Sequence, residues 1–320
     1  MQNKNRIGGF LARHAILIVF AILCIAVAII EHRFVSLQNI RNILNQISVI
    51  GILSCGMTFV IVSGYINLSV GSIMSIVGIV VLKTVASMGD APGLLVALAV
   101  GVLVGAVTGI IMSLIEGKLG ESFMVTYGMQ SVCAALALIV SGGLFMMSTT
   151  TGVFSSMGTG LTPIYIFLVL IVLCHVFLTQ TVWGRNIYFL GANPVAAKLS
   201  GINTRLYITI VFTLCGFISA LAGIVLTSRV ASANPNAGVG YELDAISACV
   251  VGGVSMKGGK GTFLHTLKGV VIIGMLGNAL NLLGITTYPQ MIVKGFVIVL
   301  AVSMDAFTRP APSRKVGETA

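Results

Sequence analysis

Long apolar runs alternate with short polar breaks along this chain. The runs are continuous rather than alternating, so they read as helices and not as barrel strands. The first, Ala15–Ile30, follows Lys4, Arg6 and Arg13 and closes at Glu31, His32 and Arg33. It is long for a signal-peptide core and no small-residue cleavage site ends it, so it reads as a retained first span. Residues 34–46 (FVSLQNIRNILNQ) have apolar positions at helical spacing with Arg, Asn and Gln between them. That pattern predicts an interfacial amphipathic helix, followed by a second span over Ile47–Val62. Residues 63–72 (SGYINLSVGS) interrupt the run before a third span ending at Met88. The interruption fits either a tight cytoplasmic turn or a break lining a pathway, because broken helices at membrane depth must face protein or water.

The later elements follow the same logic. Residues 89–93 (GDAPG) predict a turn. The fourth span, Leu94–Ile115, carries Gly101, Gly105 and Gly109 on one face, a pattern for close helix approach. After a polar loop, EGKLGE, the fifth span covers Phe123–Leu144. An uncharged loop then leads to the sixth, Pro163–Leu178, with Trp183 at an interface position. Residues 184–205 form a basic connector. Turn and cap formers (Gly184, Gly191, Asn193, Pro194, Gly201, Asn203) surround a short helix-compatible core, Val195–Leu199. The seventh span is Leu206–Thr227. A short element, Tyr241–Val251, holds Glu242 and Asp244, and the ninth and tenth spans are Phe263–Leu283 and Pro289–Asp305.

Composition agrees with a membrane chain. Of 320 residues, 57% are hydrophobic and only 8% charged, against about 25% charged in soluble domains. The expected fold is an all-α polytopic transmembrane helical bundle of about ten membrane elements. It forms a single domain over residues 1–320, with residues 1–13 and 306–320 as tails. The net charge of +10 does not point to nucleic acid, because the basic residues are scattered through short loops. On one side lie Lys4, Arg6, Arg13, Lys118, Arg185, Lys198, Arg205, Lys257, Lys260, Arg309, Arg314 and Lys315. The other side holds only Arg33, Arg41 and Arg229. The bias places both termini and the 184–205 connector in the cytoplasm. Lys83, Lys268 and Lys294 lie near span ends, where they can snorkel.

Candidate chemistry is sparse. The six cysteines all fall within apolar runs, without metal-ligand spacing. In Lys257–Thr262 (KGGKGT), Gly261 stands where a phosphate-binding loop needs Ser or Thr. No convergent set of ionisable groups supports an enzyme. Glu242 and Asp244 are the intramembrane acids, and such residues are functional candidates. So few of them argues against ion-coupled transport. Asn67, Asn278 and Asn281 could offer amides to a neutral solute or act as interhelical glue, and Asn278 and Asn281 share a helix face. Gly64-Tyr65-Ile66-Asn67-Leu68 is faintly echoed by Gly240-Tyr241-Glu242-Leu243-Asp244, which suggests two weakly related halves.

Several segments resemble the ribose-type ABC sugar permeases: SGYINLSVGS, GRNIYFLGANPVAAKLSGI, NAGVGYELDAISACVVGG, GGKGT, NALNLLGI and VKGFVIVLAV. The likeness runs in order from about Phe34 to Asp305. It implies a non-catalytic permease subunit of the bacterial inner membrane, paired with a second permease copy, identical or paralogous. It also implies ATP-binding subunits below, which use the ATP and magnesium, and a periplasmic sugar-binding protein above. The cytoplasmic connector would carry the coupling helix, with Arg185, Gly191, Asn193, Pro194, Ala197 and Gly201 as docking candidates. The pathway candidates are Asn67, Ser69, Gly71, Glu242, Asp244, Asn278 and Asn281. The implied cargo is a ribose-like pentose or hexose; alternatives are a furanosyl signalling molecule or a stand-alone facilitator for a small polar solute. Asn67 replaces the usual Asp of that family, and Ser122 and Tyr127 depart from its fifth-span entry.

Overall fold

A computed structural model describes residues 25, 27–115, 119–148 and 151–307. Most of the expected first span, the 1–13 and 306–320 tails apart from residues 306–307, and Lys118 lie outside the described residues. The described chain is helical, with one two-residue strand pair. The helices are α1 (Leu37–Val62), α2 (Val70–Met88), α3 (Asp90–Ile115), α4 (Leu119–Ser141), α5 (Val153–Met157) and α6 (Thr162–Gln180). They continue with α7 (Val182–Ala192), α8 (Pro194–Leu199), α9 (Thr204–Val230), α10 (Tyr241–Gly252), α11 (Phe263–Leu282) and α12 (Thr287–Phe307). Among the described residues, seven helices are long and apolar enough to cross a membrane: α1, α2, α3, α4, α6, α9 and α11. At 1.5 Å per residue, the 12 residues of α10 span only about 18 Å, short of a 30 Å hydrocarbon core.

The expected split at Ile47 is not seen. One 26-residue helix runs from Leu37, with the Ser36 hydroxyl accepting from the Asn39 amide at 3.2 Å. The segment read as interfacial continues the span because part of its polar face is paired inside the bundle. Asn39 is buried and exchanges two hydrogen bonds with Asn278 of α11, at 2.9 and 3.1 Å. The GDAPG turn shrinks to Gly89, at φ +85°, and α3 starts at Asp90. Pro92 sits in the first turn, where its missing N–H costs no helical bond.

α1 lies at the centre, with 89% of its apolar window buried, against 17% for α4 and 28% for α6. α9 packs along α1, α2 and α3. The three glycines of α3 make its contact with α9 possible. A Cβ at Gly105 would come within 2.6 Å of the Phe212 carbonyl oxygen and 2.9 Å of Gly216 Cα. Gly109 meets the Thr209 backbone in the same way. The expected close approach is therefore met, and α9 is the partner.

Loops gather at two ends. At one, the Gly259 N–H donates to the Val62 carbonyl at 2.8 Å and the Tyr188 hydroxyl donates to the Gly261 carbonyl at 2.5 Å. At the other, the Phe154 N–H donates to Asp90 Oδ2 at 3.0 Å and the Ser228 hydroxyl donates to the Phe154 carbonyl at 2.6 Å. There β1 (Met146–Met147) pairs antiparallel with β2 (Ser232–Ala233). The 145–162 stretch, read as a plain loop, thus supplies a strand and the short α5, both tied to the end of α9.

Candidate functional site

Two regions gather the sequence-predicted residues. One is a pair of helix breaks that meet inside the bundle. The other is the connector between α6 and α9.

The first break covers residues 63–69. Gly64 adopts φ +89°, which glycine accepts without Cβ strain. The break is folded inward: Ser63, Tyr65, Asn67, Leu68 and Ser69 are all buried. Asn67 Oδ1 accepts from the Ser69 N–H at 3.1 Å and from its hydroxyl at 2.7 Å, a side-chain turn of the kind Asn favours. Asn67 Nδ2 donates to Cys215 Sγ of α9 at 3.5 Å. These bonds hold the break shut, and Asn67 lines none of the described cavities. The second break precedes α10. Gly240 adopts φ +88°, so both breaks turn on a left-handed glycine followed by tyrosine.

The start of α2, just after the first break, meets the second break at Gly71 and Gly238. A Cβ on Gly71 would collide with the Gly238 carbonyl oxygen and Glu242 Oε2, and one on Gly238 would collide with Gly71. The Ser75 hydroxyl accepts from the Gly238 N–H at 2.8 Å and fixes the crossing. Glu242 Oε1 accepts from the Gly240 N–H at 3.2 Å, folding the side chain back over its own helix start. Asp244 points elsewhere. Its Oδ2 pairs with Lys294 Nζ of α12 at 2.8 Å, and the carboxylate is 7% exposed. Lys294, read as a snorkelling residue, instead ties α12 to α10. Its sequence signal was an acid in a short apolar element, which requires a cation within reach. Gln46, Tyr241, Gln290 and this ion pair line a cavity of about 200 Å³.

The two asparagines of α11 separate. Asn278 is consumed by Asn39, and Asn281 accepts from Gln290 Nε2 at 2.7 Å. Both bonds are interhelical glue. Among the described residues, no three His, Cys, Asp or Glu side chains come close enough to hold a metal ion.

The connector is more helical than its turn formers suggest. Gly184 and Gly191 lie within α7, because their missing Cβ atoms admit neighbouring backbone: Leu178 at Gly184, and Val62 and Gly259 at Gly191. Burial pushes the Tyr188 hydroxyl above the ordinary tyrosine range. Asn193 caps α8 by accepting from the Ala196 N–H at 3.0 Å, with Pro194 at the first helical position. Gly201, at φ +81°, lets the chain turn towards α9. Of the docking candidates, Gly191 and Ala197 face inward, while Arg185, Asn193, Pro194 and Gly201 are exposed. Val195 and Leu199, 68% and 84% exposed, stand four residues apart on one face of α8. They bound the short helix-compatible core expected over Val195–Leu199, although neither is among the docking candidates that the resemblance implies.

Residues 39–302 match the family described as branched-chain amino acid transport system permease components. The ribose import permease of Haemophilus influenzae is 42% identical over 96% of this chain and 98% of its own. The Bacillus subtilis ribose import permease is 38% identical over 95% and 96%. The L-arabinose transport permease of Escherichia coli is 34% identical over 93% and 92%. No solved structure matches the chain.

Proposed function

This chain belongs to the family of branched-chain amino acid transport system permease components, and we propose from that membership how it works as the permease subunit of an ATP-driven sugar importer. It is a multi-pass protein of the bacterial inner membrane. The proposed cargo is a ribose-like pentose or hexose handed over by a periplasmic binding protein. Two permease copies pair around the path, and ATP and magnesium act on separate subunits. Ten membrane elements with both termini in the cytoplasm fit the basic residues of the connector end, Arg185, Lys198, Arg205, Lys257 and Lys260. Two related halves fit the matched Gly-Tyr breaks.

The observation that carries this reading is the exposed pair Val195 and Leu199 on a two-turn helix held by Asn193 and Gly201. Isolated apolar residues at a surface are ordinary, but these two share one face of a capped helix at the basic end. An ATP-binding subunit that covered them would transmit its closure through α8 and α7. Gly191, wedged against Val62 and Gly259, would pass the push to the start of the first break.

Burying each side chain contributes about 1.5–3 kcal/mol. Removing both should therefore weaken docking by more than about 100-fold. The chain purified from its native membrane should bring a stoichiometric ATP-binding subunit with it. Val195→Asp with Leu199→Asp should abolish that association and sugar uptake, while the amount of permease in the membrane stays at the wild-type level. Unchanged uptake in the double variant would overturn the docking role. A wild-type chain that carries sugar with no ATP-binding subunit would overturn the importer reading itself.

A further inference from the structure

The helical row Gln38, Asn42 and Gln46 reaches two separate cavities, the first two residues lining one and Gln46 the other. These residues recur every four positions on one ridge of α1. The upper cavity, about 840 Å³, lies at the start of α1 against Gly160 and Leu161, and Gln38, Arg41, Asn42 and Asn45 line it. Gln46, one turn further along the ridge than Asn42, opens into the cavity of about 200 Å³ beside the Asp244–Lys294 pair. A row of amides on a membrane helix does not face lipid, where unpaired polar groups are costly.

Each cavity is also lined by a residue that carries a buried acceptor in want of a donor. Asn45 Oδ1 in the upper one and Asp244 Oδ1 in the lower one are buried, and neither finds a hydrogen-bond donor among the described residues. Asp244 is 5% exposed. Its other oxygen is taken by Lys294, so the pair is internally neutral and offers both an acceptor and spare N–H donors. A free carboxylate or ammonium would have to compete with a partner already in place at 2.8 Å. A neutral polyol would not: each hydroxyl both gives and takes a hydrogen bond, and the lower cavity presents both functions together with the Gln46 amide, while the Gln290 nitrogen is already given to Asn281 and Ile285 and leaves that side chain as a wall of the cavity.

We infer that the Gln38–Asn42–Gln46 ridge is the entry path of the solute, and that the cavity at Gln46, Gln290, Asp244 and Lys294 is a hydroxyl-recognition site for a single sugar ring. The assignment rests on the sugar-importer reading. It deepens that reading by moving part of the selectivity into this chain. Glu242 stays outside the site, folded against Gly71 and Gly240. The site is built from three segments, α1, α10 and α12, so relative movement of α12 would open or close it.

Cysteine labelling on spheroplasts tests the path without reference to ATP. The five described native cysteines are buried, which keeps the background low. Gln38→Cys, Asn42→Cys and Gln46→Cys are each treated with a membrane-impermeant methanethiosulfonate, with Leu103→Cys on the exposed apolar face of α3 as control. The expected result is reaction at all three positions at least about ten times faster than at the control. Millimolar D-ribose, L-arabinose or D-galactose should slow labelling of Gln46→Cys, and leucine should not. Gln46→Leu should cut uptake at least about five-fold while the ATP-binding subunit still co-purifies. Labelling of Gln46→Cys at the control rate overturns the path. Protection by leucine alone, or by no solute, overturns the sugar site, and so does unaltered uptake in Gln46→Leu. Should Gln46→Leu fail to reach the membrane, the labelling arms decide. Failure of the importer reading looks different: the wild-type chain would then purify without an ATP-binding subunit.

Discussion

The same substitution, glycine to alanine, should have opposite effects at two helical positions of this chain. Gly105 sits where α3 crosses α9. An added Cβ there would stand 2.6 Å from the Phe212 carbonyl oxygen, 2.9 Å from Gly216 Cα and 3.1 Å from Thr213 Cα. Ordinary carbon contacts lie near 3.5–4.0 Å, so the helices must part by roughly 0.5–1 Å. All the obstructing atoms are backbone, and no rotamer can relieve them. Over a long, tightly packed interface, a gap of that size forfeits a quarter to a half of each contact it opens. Overpacking of this kind costs about 1–3 kcal/mol. Gly128 lies mid-helix in α4, and a Cβ there meets nothing within 4 Å. Ala is favoured over Gly inside a helix by about 1 kcal/mol. Gly128→Ala should therefore be neutral or stabilising. The five free thiols of the described residues, all buried, provide the assay. A thiol-reactive fluorogenic dye reports their exposure as the detergent-purified chain is heated. At about 2–4 °C per kcal/mol, Gly105→Ala should lower the midpoint by several degrees, and Gly128→Ala should leave it level or raise it. A midpoint for Gly105→Ala at or above wild type would refute the packing argument, as would an equal fall for both variants.

Two further predictions use the same thermal assay. Lys294→Met strands the buried Asp244 carboxylate and should cost about 3–5 kcal/mol, reduced somewhat by the partial exposure of Lys294. Combining it with Asp244→Asn should recover much of the loss, and strictly additive effects would show that the two side chains do not interact. Asn278→Leu leaves Asn39 Oδ1 without its donor and should cost about 1–3 kcal/mol, whereas the Asn39→Leu, Asn278→Leu pair should cost less than the sum of the single changes. Additivity there would dissolve the amide pair.

Much of the architecture was legible in the order of residues. A bilayer imposes one-dimensional rules: every span must be long, apolar and internally hydrogen-bonded, so composition alone marks where helices cross. Most expected spans after the first agree with the helices within a few residues, and the three glycines of α3 announced a close crossing. Expectation and structure part where a residue's meaning depends on a distant partner. Residues 34–46 read as interfacial because their polar positions were counted against water, yet Asn39 belongs to a pair with Asn278. Gly184 and Gly191 read as turn formers. They are helical residues whose missing side chains make room for the backbone of Leu178 and Val62.

The site divides along the same line. Asn67, Glu242 and Asp244 could be named as polar groups in an apolar setting, because the energetic anomaly of such groups is local. What each one does is not local. Asn67 closes a turn, Glu242 folds onto Gly240, and Asp244 reaches across to Lys294, some fifty residues away in sequence. Lys294 itself looked like a span-end cation until the fold set it opposite a buried acid. The run of amino acids thus determined that helices form, roughly where they cross and which groups are too polar to lie in lipid, since those are sums over neighbouring residues. Only the tertiary structure decided which glycines are contacts, which amides are spent and which buried acceptors are left without a donor, because each of those depends on atoms brought together from far apart in the chain.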